Sequence, residues 1–219
     1  MIASNPDRPS PLLLDQIGMW MEGWGQLPGH LVVISGPSGS GKSTLVRRIL
    51  QRPEVRATLS VSATTRRPRP GEMHGVQYFF IGRADFEAMR DRGELFESAE
   101  FAGNLYGTPI GPVVEELKAG GCVILEIEVQ GALLVRDRVP SALFLFIDAP
   151  RFWELEKRLR ARGTEDDAAI HRRLVRARWE RDHAHCYDAV LINDDLDETT
   201  QRLVNLLVQH GCGGTVPDA

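Results

Sequence analysis

The chain reads Gly36-Pro37-Ser38-Gly39-Ser40-Gly41-Lys42-Ser43-Thr44 between an apolar run, Leu31–Ile34, and a helix-like stretch, Leu45–Leu50. A strand, a glycine-rich turn and a helix in this order are the context that a phosphate-binding loop requires. Glycines let the backbone wrap around an anion with its N–H groups pointing inward, and the helix N-terminus adds a partial positive charge. The stretch therefore predicts a site for a nucleoside triphosphate.

Two side chains of this loop have expected roles. Lys42 can reach the outer phosphates, and the hydroxyl of Ser43 can be a ligand of Mg²⁺. The alternative is a glycine-rich turn that binds nothing. That alternative does not account for the complete spacing together with the flanking strand and helix.

Composition narrows the class of protein. The 219 residues fit one globular domain with insertions, and 42% hydrophobic and 26% charged residues suit an ordinary core. A formal net charge of −4 argues against nucleic acid or an acidic membrane as the main partner. No apolar run is long enough to span a bilayer, and the polar, proline-rich first residues do not resemble a signal peptide.

The cysteines bear on the compartment. Cys122, Cys186 and Cys212 are an odd, scattered set without a C-x-x-C pair. We therefore expect reduced thiols in a cytoplasmic protein, and neither a disulfide nor a zinc site.

Strand and helix patterns alternate along most of the chain. Apolar runs such as Leu143–Ile147 suit strands that are buried on both faces of a parallel sheet, so the alternation predicts an α/β fold. Strands are expected at Leu31–Ile34, Thr58–Val61, Val76–Ile81, Cys122–Ile127, Ala142–Ile147 and Ala189–Ile192, and helices at Leu45–Leu50, Pro109–Lys118, Gln130–Arg138, Arg151–Arg160, Glu165–His183 and Leu196–His210.

The segment from Ser62 to Gly107 interrupts this alternation with shorter, more polar strands and many turn residues. Near its start, Arg66 and Arg69 lie three residues apart on a proline-stiffened loop, where two guanidinium groups can clamp one phosphate. Further on, a carboxylate such as Glu97 can accept two parallel N–H bonds from the Watson–Crick edge of guanine, which adenine does not offer. Each side chain alone could be an ordinary surface residue, but the set predicts a second nucleotide site.

Five ordered motifs in the chain are similar to those of the guanylate kinase family. They are S-x-T-T-R-x-x-R-x-G-E from Ser62, F-E-x-A-x-F-x-G-N-x-Y-G-T from Phe96, V-Q-G from Val129, R-L-x-x-R-G-T from Arg158 and V-L-I-N-D-D-L-D from Val190. The resemblance runs from about His30 to about Leu207. It implies the P-loop NTPase fold of a nucleoside monophosphate kinase, with a parallel five-stranded core sheet, a small mixed α+β GMP-binding insertion and a helical lid.

The resemblance also implies an acceptor site for GMP, and dGMP is expected to serve as well. One group of residues would contact the base and another would hold the phosphate. Contacts to guanine would come from Ser62, Glu97, Thr108 and Glu126, and contacts to the phosphate from Arg66, Arg69, Tyr78 and Tyr106.

One motif departs from the family pattern. Relatives commonly read L-D-I-D-x-Q-G where this chain reads Leu125-Glu126-Ile127-Glu128-Val129-Gln130-Gly131. Acids at the end of a buried strand beside a phosphate loop help to position Mg²⁺, its waters or the base. The expected metal residues are therefore Ser43, Glu126 and Glu128, the two acids having a longer reach than aspartate.

In the family, arginines of the lid move over the triphosphate and stabilise charge on the transferring group; here these would be Arg158, Arg162 and Arg173. Other arginines of the same helices, Arg160, Arg172, Arg176 and Arg178, are interpreted as surface residues. Asn193 follows the last strand, where the family places the adenine edge. The catalytic set implied by the resemblance is Lys42, Arg66, Arg158, Arg162 and Arg173, and the ATP-binding set is residues 36–44 with Asn193.

These patterns predict how the chain is divided. An N-terminal extension, 1–28, is expected to be partly disordered, and residues 214–219 to be a flexible tail. The core would comprise 29–61, 108–150 and 186–213, the GMP-binding insertion 62–107 and the lid 151–185.

The expected reaction is transfer of the γ-phosphoryl group of ATP to GMP with Mg²⁺, by a monomer or a homodimer. One alternative is a related ribose 1,5-bisphosphate phosphokinase. The residues that are expected to contact guanine argue against it. The other is a catalytically inactive, guanylate-kinase-like interaction module, in which a damaged phosphate loop would be typical.

Overall fold

A computed structural model describes residues 24–101, 103–161 and 167–214 of the chain. These residues form two compact units. The core unit comprises Leu27–Ser60 and the chain from Pro112 onward, and the inserted unit comprises Val61–Gly111 with the described residues that precede Leu27.

Helices and strands alternate along both units. Short 3₁₀ turns at Trp24–Gln26 and Ala184–Cys186 and a kinked last turn at Val208–Cys212 complete them. In chain order the elements are β1 (His30–Ser35), α1 (Lys42–Ile49), β2 (Ala57–Leu59), β3 (Ser62–Thr64), β4 (Tyr78–Phe80), α2 (Arg83–Asp91), β5 (Leu95–Phe101), β6 (Asn104–Pro109), α3 (Ile110–Lys118), β7 (Cys122–Glu126), α4 (Val129–Arg138), β8 (Leu143–Asp148), α5 (Phe152–Ala161), α6 (Asp167–Asp182), β9 (Ala189–Ile192) and α7 (Leu196–Leu207).

The core unit is built on a five-stranded sheet in the order β2-β7-β1-β8-β9, in which every neighbouring pair is parallel. Its central strand β1 is buried along nearly its whole length, which explains why its sequence is an apolar run without alternation. Helices α1 and α7 cover one part of the sheet through Leu45, Ile49, Leu203 and Leu207. Parallel order brings the carboxyl ends of β1, β7 and β8 to one edge, where ligands of open α/β sheets bind.

The inserted unit carries a separate four-stranded mixed sheet in the order β4-β3-β6-β5. Strands β3 and β4 are parallel, whereas β3–β6 and β5–β6 are antiparallel. Helix α2 packs Phe86, which is fully buried, against Ala63, Leu95 and Leu105. These residues form a hydrophobic cluster of their own.

The predicted fold class is confirmed: the chain is α/β, with a parallel five-stranded sheet and a small mixed unit. Within the segment 62–107 the sequence predicted only one of the four strands, and it missed α2. Polar residues on short strands give little periodicity, so their pairing depends on the rest of the sheet. The predicted N-terminal extension falls almost entirely on residues outside the described ranges, as do residues 215–219.

The expectation of reduced cysteines is wrong for two of the three thiols. Cys122, at the start of β7, and Cys212, after α7, form a disulfide with a Cα–Cα distance of 5.4 Å. The two residues lie 90 positions apart, so no local pattern points to the pair; the sheet brings them together. Cys186 is the cysteine outside the bond.

Reduction of this disulfide is expected to destabilise the protein strongly. Closing a loop of 90 residues removes chain entropy from the unfolded state that corresponds to about 4 to 5 kcal/mol of free energy of unfolding. Urea unfolding of the oxidised protein, of Cys212→Ser and of Cys186→Ser as a matched control measures the effect. Equal stability of the oxidised protein and Cys212→Ser, or three reactive thiols in the oxidised, denatured chain, would contradict the bond.

Candidate active site

The phosphate loop forms the turn between β1 and α1 in the core unit. Gly36 has a φ of 144°, and a Cβ atom there would lie 1.9 Å from the carbonyl oxygen of Ile147. Gly41 has a φ of 94°, and its Cβ would lie 2.3 Å from the side-chain nitrogen of Asn193. The loop therefore requires glycine at both positions, for its conformation and for lack of space.

Lys42 is the first residue of α1, and its ammonium group is turned onto the loop. Nζ donates hydrogen bonds to the carbonyl oxygens of Gly36 and Pro37, the second at 3.1 Å. The cation thus lies against the backbone that is expected to enclose the phosphates.

Ser43 and Glu126 meet at the same edge of the core sheet. The hydroxyl of Ser43 donates to Oε1 of Glu126 at 2.5 Å, and Glu126 is the last residue of β7. Both groups offer oxygen, the ligand type that Mg²⁺ prefers. Glu126 belongs to the core unit, and its contact to guanine stays a prediction.

Glu128 has a different hydrogen-bond partner from Glu126. It precedes α4, and its Oε2 accepts a hydrogen bond from Nη2 of Arg176 on α6. Arg176, interpreted from the sequence as a surface arginine, is partly exposed and contacts both Glu128 and Glu180.

Asn193 lies beneath the phosphate loop. Its side-chain nitrogen donates to the carbonyl oxygen of Ser40 at 2.7 Å, and only 6% of the residue is exposed. Arg158 of α5 lies nearby, with its guanidinium nitrogens 3.4 Å from the carbonyl oxygen of Gly39 and 3.3 Å from that of Asn193. These contacts hold the outer side of the loop in place.

Arg173 of α6 also reaches the loop, with Nη1 3.4 Å from Oγ of Ser38. Arg162, the third arginine predicted to serve the triphosphate, lies outside the described residues. Thus two of the three lid arginines are seen at the phosphate loop, from two different helices.

Two buried acids at this edge of the sheet were not recognised in the sequence. Asp148 ends β8, and its Oδ2 lies 2.7 Å from Nε of Arg181, while burial raises the pKa of this carboxyl. Glu180 is 4% exposed, and burial raises its pKa to about 7, although Lys42 and Arg176 act in the opposite direction. No sequence spacing identifies either acid, because Asp148 lies at the end of a strand and Glu180 on the face of a helix.

In the inserted unit, Arg66 is fixed by a bidentate ion pair. Its two terminal nitrogens each lie 2.9 Å from an oxygen of Glu72, and both side chains are more than four-fifths buried. The hydrogen bonds from Arg66 lower the pKa of Glu72, which also accepts from the backbone N–H of Arg69 at 2.7 Å. Glu72, quoted in the motif without a role, therefore orients the arginine loop.

The two tyrosines predicted at the phosphate lie beside Arg66. Its guanidinium carbon is 5.5 Å from the ring centre of Tyr78, and the rings of Tyr78 and Tyr106 are 6.0 Å apart. Arg69 is exposed. The four residues predicted to hold the phosphate thus lie on β4, on β6 and in the loop after β3.

The residues of this unit that are predicted to contact the base lie on three of its strands. Oγ1 of Thr108, on β6, donates to Oε1 of Glu97, on β5, at 2.9 Å, and Thr108 is completely buried. Ser62 begins β3, where it pairs with Tyr78 of β4. A carboxylate has about four lone-pair sites, and the Thr108 hydroxyl donates to one oxygen of Glu97.

Two features are absent from the described residues. Within them, no helix is both long and apolar enough to cross a membrane. They also contain no cluster of three or more histidine, cysteine or acidic side chains arranged to hold a metal ion. A Mg²⁺ ion bound through one or two protein oxygens and substrate phosphates needs no such cluster.

Comparison with known proteins gives one family. The family model described as guanylate kinase matches residues 29–210. The chain is 54% identical to a guanylate kinase of Synechococcus sp. (strain CC9902) over 80% of its own length and 93% of that relative, and 46% identical to one of Desulfitobacterium hafniense over 84% and 92%. A crystal structure of guanylate kinase from Anaplasma phagocytophilum superimposes with a TM-score of 0.67 at 32% identity, covering 83% of this chain and 85% of that one. The chain therefore belongs to the guanylate kinase family.

Proposed function

We propose that this chain transfers the γ-phosphoryl group of ATP to GMP, giving ADP and GDP, with Mg²⁺ bound to the nucleotide. The main observation behind this proposal is the Glu97 carboxylate, which accepts a hydrogen bond from Thr108. The same unit contains Arg66, whose guanidinium is fixed by Glu72. Together they offer an acceptor for a guanine edge and a cation for a phosphate. Named guanylate kinases at about half identity over most of the chain support the same reaction.

The donor side rests on the phosphate loop. Residues 36–44 would enclose the phosphates of ATP with backbone N–H groups, and Lys42 would neutralise charge on the outer ones. Arg158 and Arg173, together with Arg162, would stabilise charge on the transferring group. Asn193 would support the loop beneath the adenine end of the nucleotide.

The residues present fit a magnesium ion. Ser43 and Glu126 place a hydroxyl and a carboxylate oxygen together beside the loop, which matches a cation that keeps waters and phosphate oxygens as its other ligands. When bound, Mg²⁺ supplies positive charge against the phosphates. The protein side chains orient the nucleotide and exclude water.

No covalent intermediate on the protein is needed. A phosphate oxygen of GMP attacks the γ-phosphorus in line, so the protein acts by positioning and by electrostatic stabilisation. Arg66, fixed by Glu72, would hold the attacking phosphate, and Arg69, Tyr78 and Tyr106 would complete its site. Ser62 and Glu126 are further proposed contacts to the base.

Several finer features belong to this proposal. dGMP would serve as an acceptor, since no group assigned here reads the ribose. The protein would work in the cytoplasm as a monomer or homodimer, with neither nucleic acid nor membrane as partner. The proposed lid, 151–185, and the GMP-binding insertion, 62–107, would close over the substrates before transfer.

An acceptor screen tests this function against its alternatives. With Mg²⁺ and ATP, we expect rapid ADP formation with GMP and dGMP, and little with AMP, UMP or ribose 1,5-bisphosphate. Preference for the sugar phosphate would favour a ribose bisphosphate phosphokinase. No transfer to any acceptor would favour an inactive interaction module.

Removing the charge of Glu126 is expected to weaken the response to Mg²⁺. In Glu126→Gln the oxygen beside Ser43 loses its charge, so the Mg²⁺ concentration for half-maximal rate should rise about 10- to 100-fold. Glu126→Asp keeps the charge and should be tolerated. Titration of Mg²⁺ at fixed ATP measures the effect.

The matched control for this titration is Glu94→Gln, which neutralises an acid paired with Arg92 in the other unit. It should leave the Mg²⁺ response of the parent unchanged. If Glu126→Gln and Glu94→Gln give the same titration curve, Glu126 has only a structural role.

A further inference from the structure

Helix α6 is joined to the carboxyl edge of the core sheet at two points. Arg181 pairs with Asp148, the last residue of β8, at 2.7 Å. Arg176, one and a half turns earlier, donates to Glu128, which follows the end of β7. Since β1 ends at the same edge, both pairs hold α6 beside the strand from which the phosphate loop begins.

Arg176 has a second acidic neighbour one turn further along its own helix. Oε1 of the buried Glu180 lies 3.5 Å from Nε of Arg176. That Nε atom is itself buried and makes no hydrogen bond within the described part of the chain. A planar guanidinium can present different edges to two acids, so Arg176 is held between Glu128 and Glu180.

Arg173 precedes Arg176 by three residues and therefore lies on the same face of α6. It is the residue of this helix whose guanidinium reaches Ser38 of the phosphate loop. A rotation or shift of α6 along the sheet edge would displace Arg173 from the loop. Of the two ion pairs that join α6 to the sheet edge, the one made by Arg176 is nearer to Arg173 in the chain.

We propose that Arg176 is a positioning residue, which is held between Glu128 and Glu180 and fixes α6 so that Arg173 remains at the phosphate loop. Glu128 then anchors the helix and is not a residue of the metal site. The inference rests on the proposed phosphoryl transfer, in which Arg176 itself touches neither nucleotide.

The first test is a double-mutant cycle of Arg176→Met, Glu128→Gln and the double variant. Misplacing a group that stabilises transferring charge by about 1 Å costs about 100-fold in rate. We therefore expect each single variant to lower kcat by about 10- to 100-fold, with a smaller change in KM for GMP. The double variant should be no slower than the slower single variant, because one ion pair is lost in all three.

The second test asks whether Arg176 acts through Arg173. In an Arg173→Met background, Arg176→Met should cause no further loss of kcat, whereas a merely structural role would lower thermal stability without this dependence. Arg172→Met, an exposed arginine of the same helix, is the matched control and should match the parent.

Three results would overturn the inference. One is a multiplicative loss of kcat in the double variant, and another is an undiminished effect of Arg176→Met without Arg173. The third is a raised Mg²⁺ requirement in Glu128→Gln but not in Arg176→Met. That result would identify Glu128 as a residue of the metal site. The same cycle can be measured by thermal unfolding without nucleotides, where it reports on the ion pair even if the parent protein does not phosphorylate GMP. Failure of this inference can therefore be distinguished from failure of the proposed function.

Discussion

Lys42→Ala is expected to abolish phosphoryl transfer while the protein remains folded. Nζ of Lys42 donates to loop carbonyls, and the side chain is half-buried, so its removal opens no cavity in the apolar core. Loss of a fixed charge at the transferring group should lower kcat by about 10³-fold or more. Coupled measurement of ADP formation gives the rate.

Two controls distinguish a loss of catalysis from a loss of folded structure in this variant. Far-UV circular dichroism and the melting temperature of Lys42→Ala should match those of the parent. Lys118→Ala removes an exposed lysine at the end of α3 and should keep the parental rate. Substantial turnover by Lys42→Ala would show that the loop lysine does not serve the transferred phosphate.

Glu97→Gln should cause the largest loss of base specificity. Its carboxylate is expected to accept the N1–H and 2-amino hydrogens of guanine, whereas AMP offers an unprotonated N1 and no 2-amino group. A site built on such bonds can reject an analogue that lacks them by about 10⁴-fold. Glu97→Gln should therefore lower kcat/KM for GMP steeply and narrow the GMP-to-AMP ratio, with little change in ATP affinity.

Substitutions at the neighbouring positions sharpen this test. Thr108→Ser retains the hydroxyl that holds Glu97 and should resemble the parent, whereas Thr108→Val should lose part of the selectivity. Glu100→Gln, at an exposed position of the same strand, is the control for charge alone. An unchanged ratio in Glu97→Gln would move base recognition to Ser62, Thr108 or Glu126.

Much of the core was predictable because its signals are local. The glycines of the phosphate loop are required by its backbone, and the apolar run of β1 reflects burial on both faces. The inserted unit was recognised through its motifs, but α2 and the strands β3, β5 and β6 were not. These strands are short or polar and therefore show little periodicity. In that unit the pairing of Glu72 with Arg66 also escaped prediction, although both residues lie within one motif.

The remaining errors concern partners that are distant in the chain. The sequence separation between Cys122 and Cys212 is 90, and that between Glu128 and Arg176 is 48. A helix pattern shows that Arg176 lies on some face of α6, but only the packed sheet edge shows which acids it meets. Roles that depend on such pairs become visible with the tertiary structure.

The central claim is the identity of the acceptor, and a competition with labelled donor tests it most directly. The protein is given ATP labelled at the γ-phosphate, Mg²⁺ and equal concentrations of GMP and AMP, and the labelled products are separated. Transfer to GMP yields labelled GDP, transfer to AMP yields labelled ADP, and hydrolysis yields labelled phosphate. We predict that nearly all transferred label appears in GDP; comparable label in ADP, or label only in inorganic phosphate, would contradict the account.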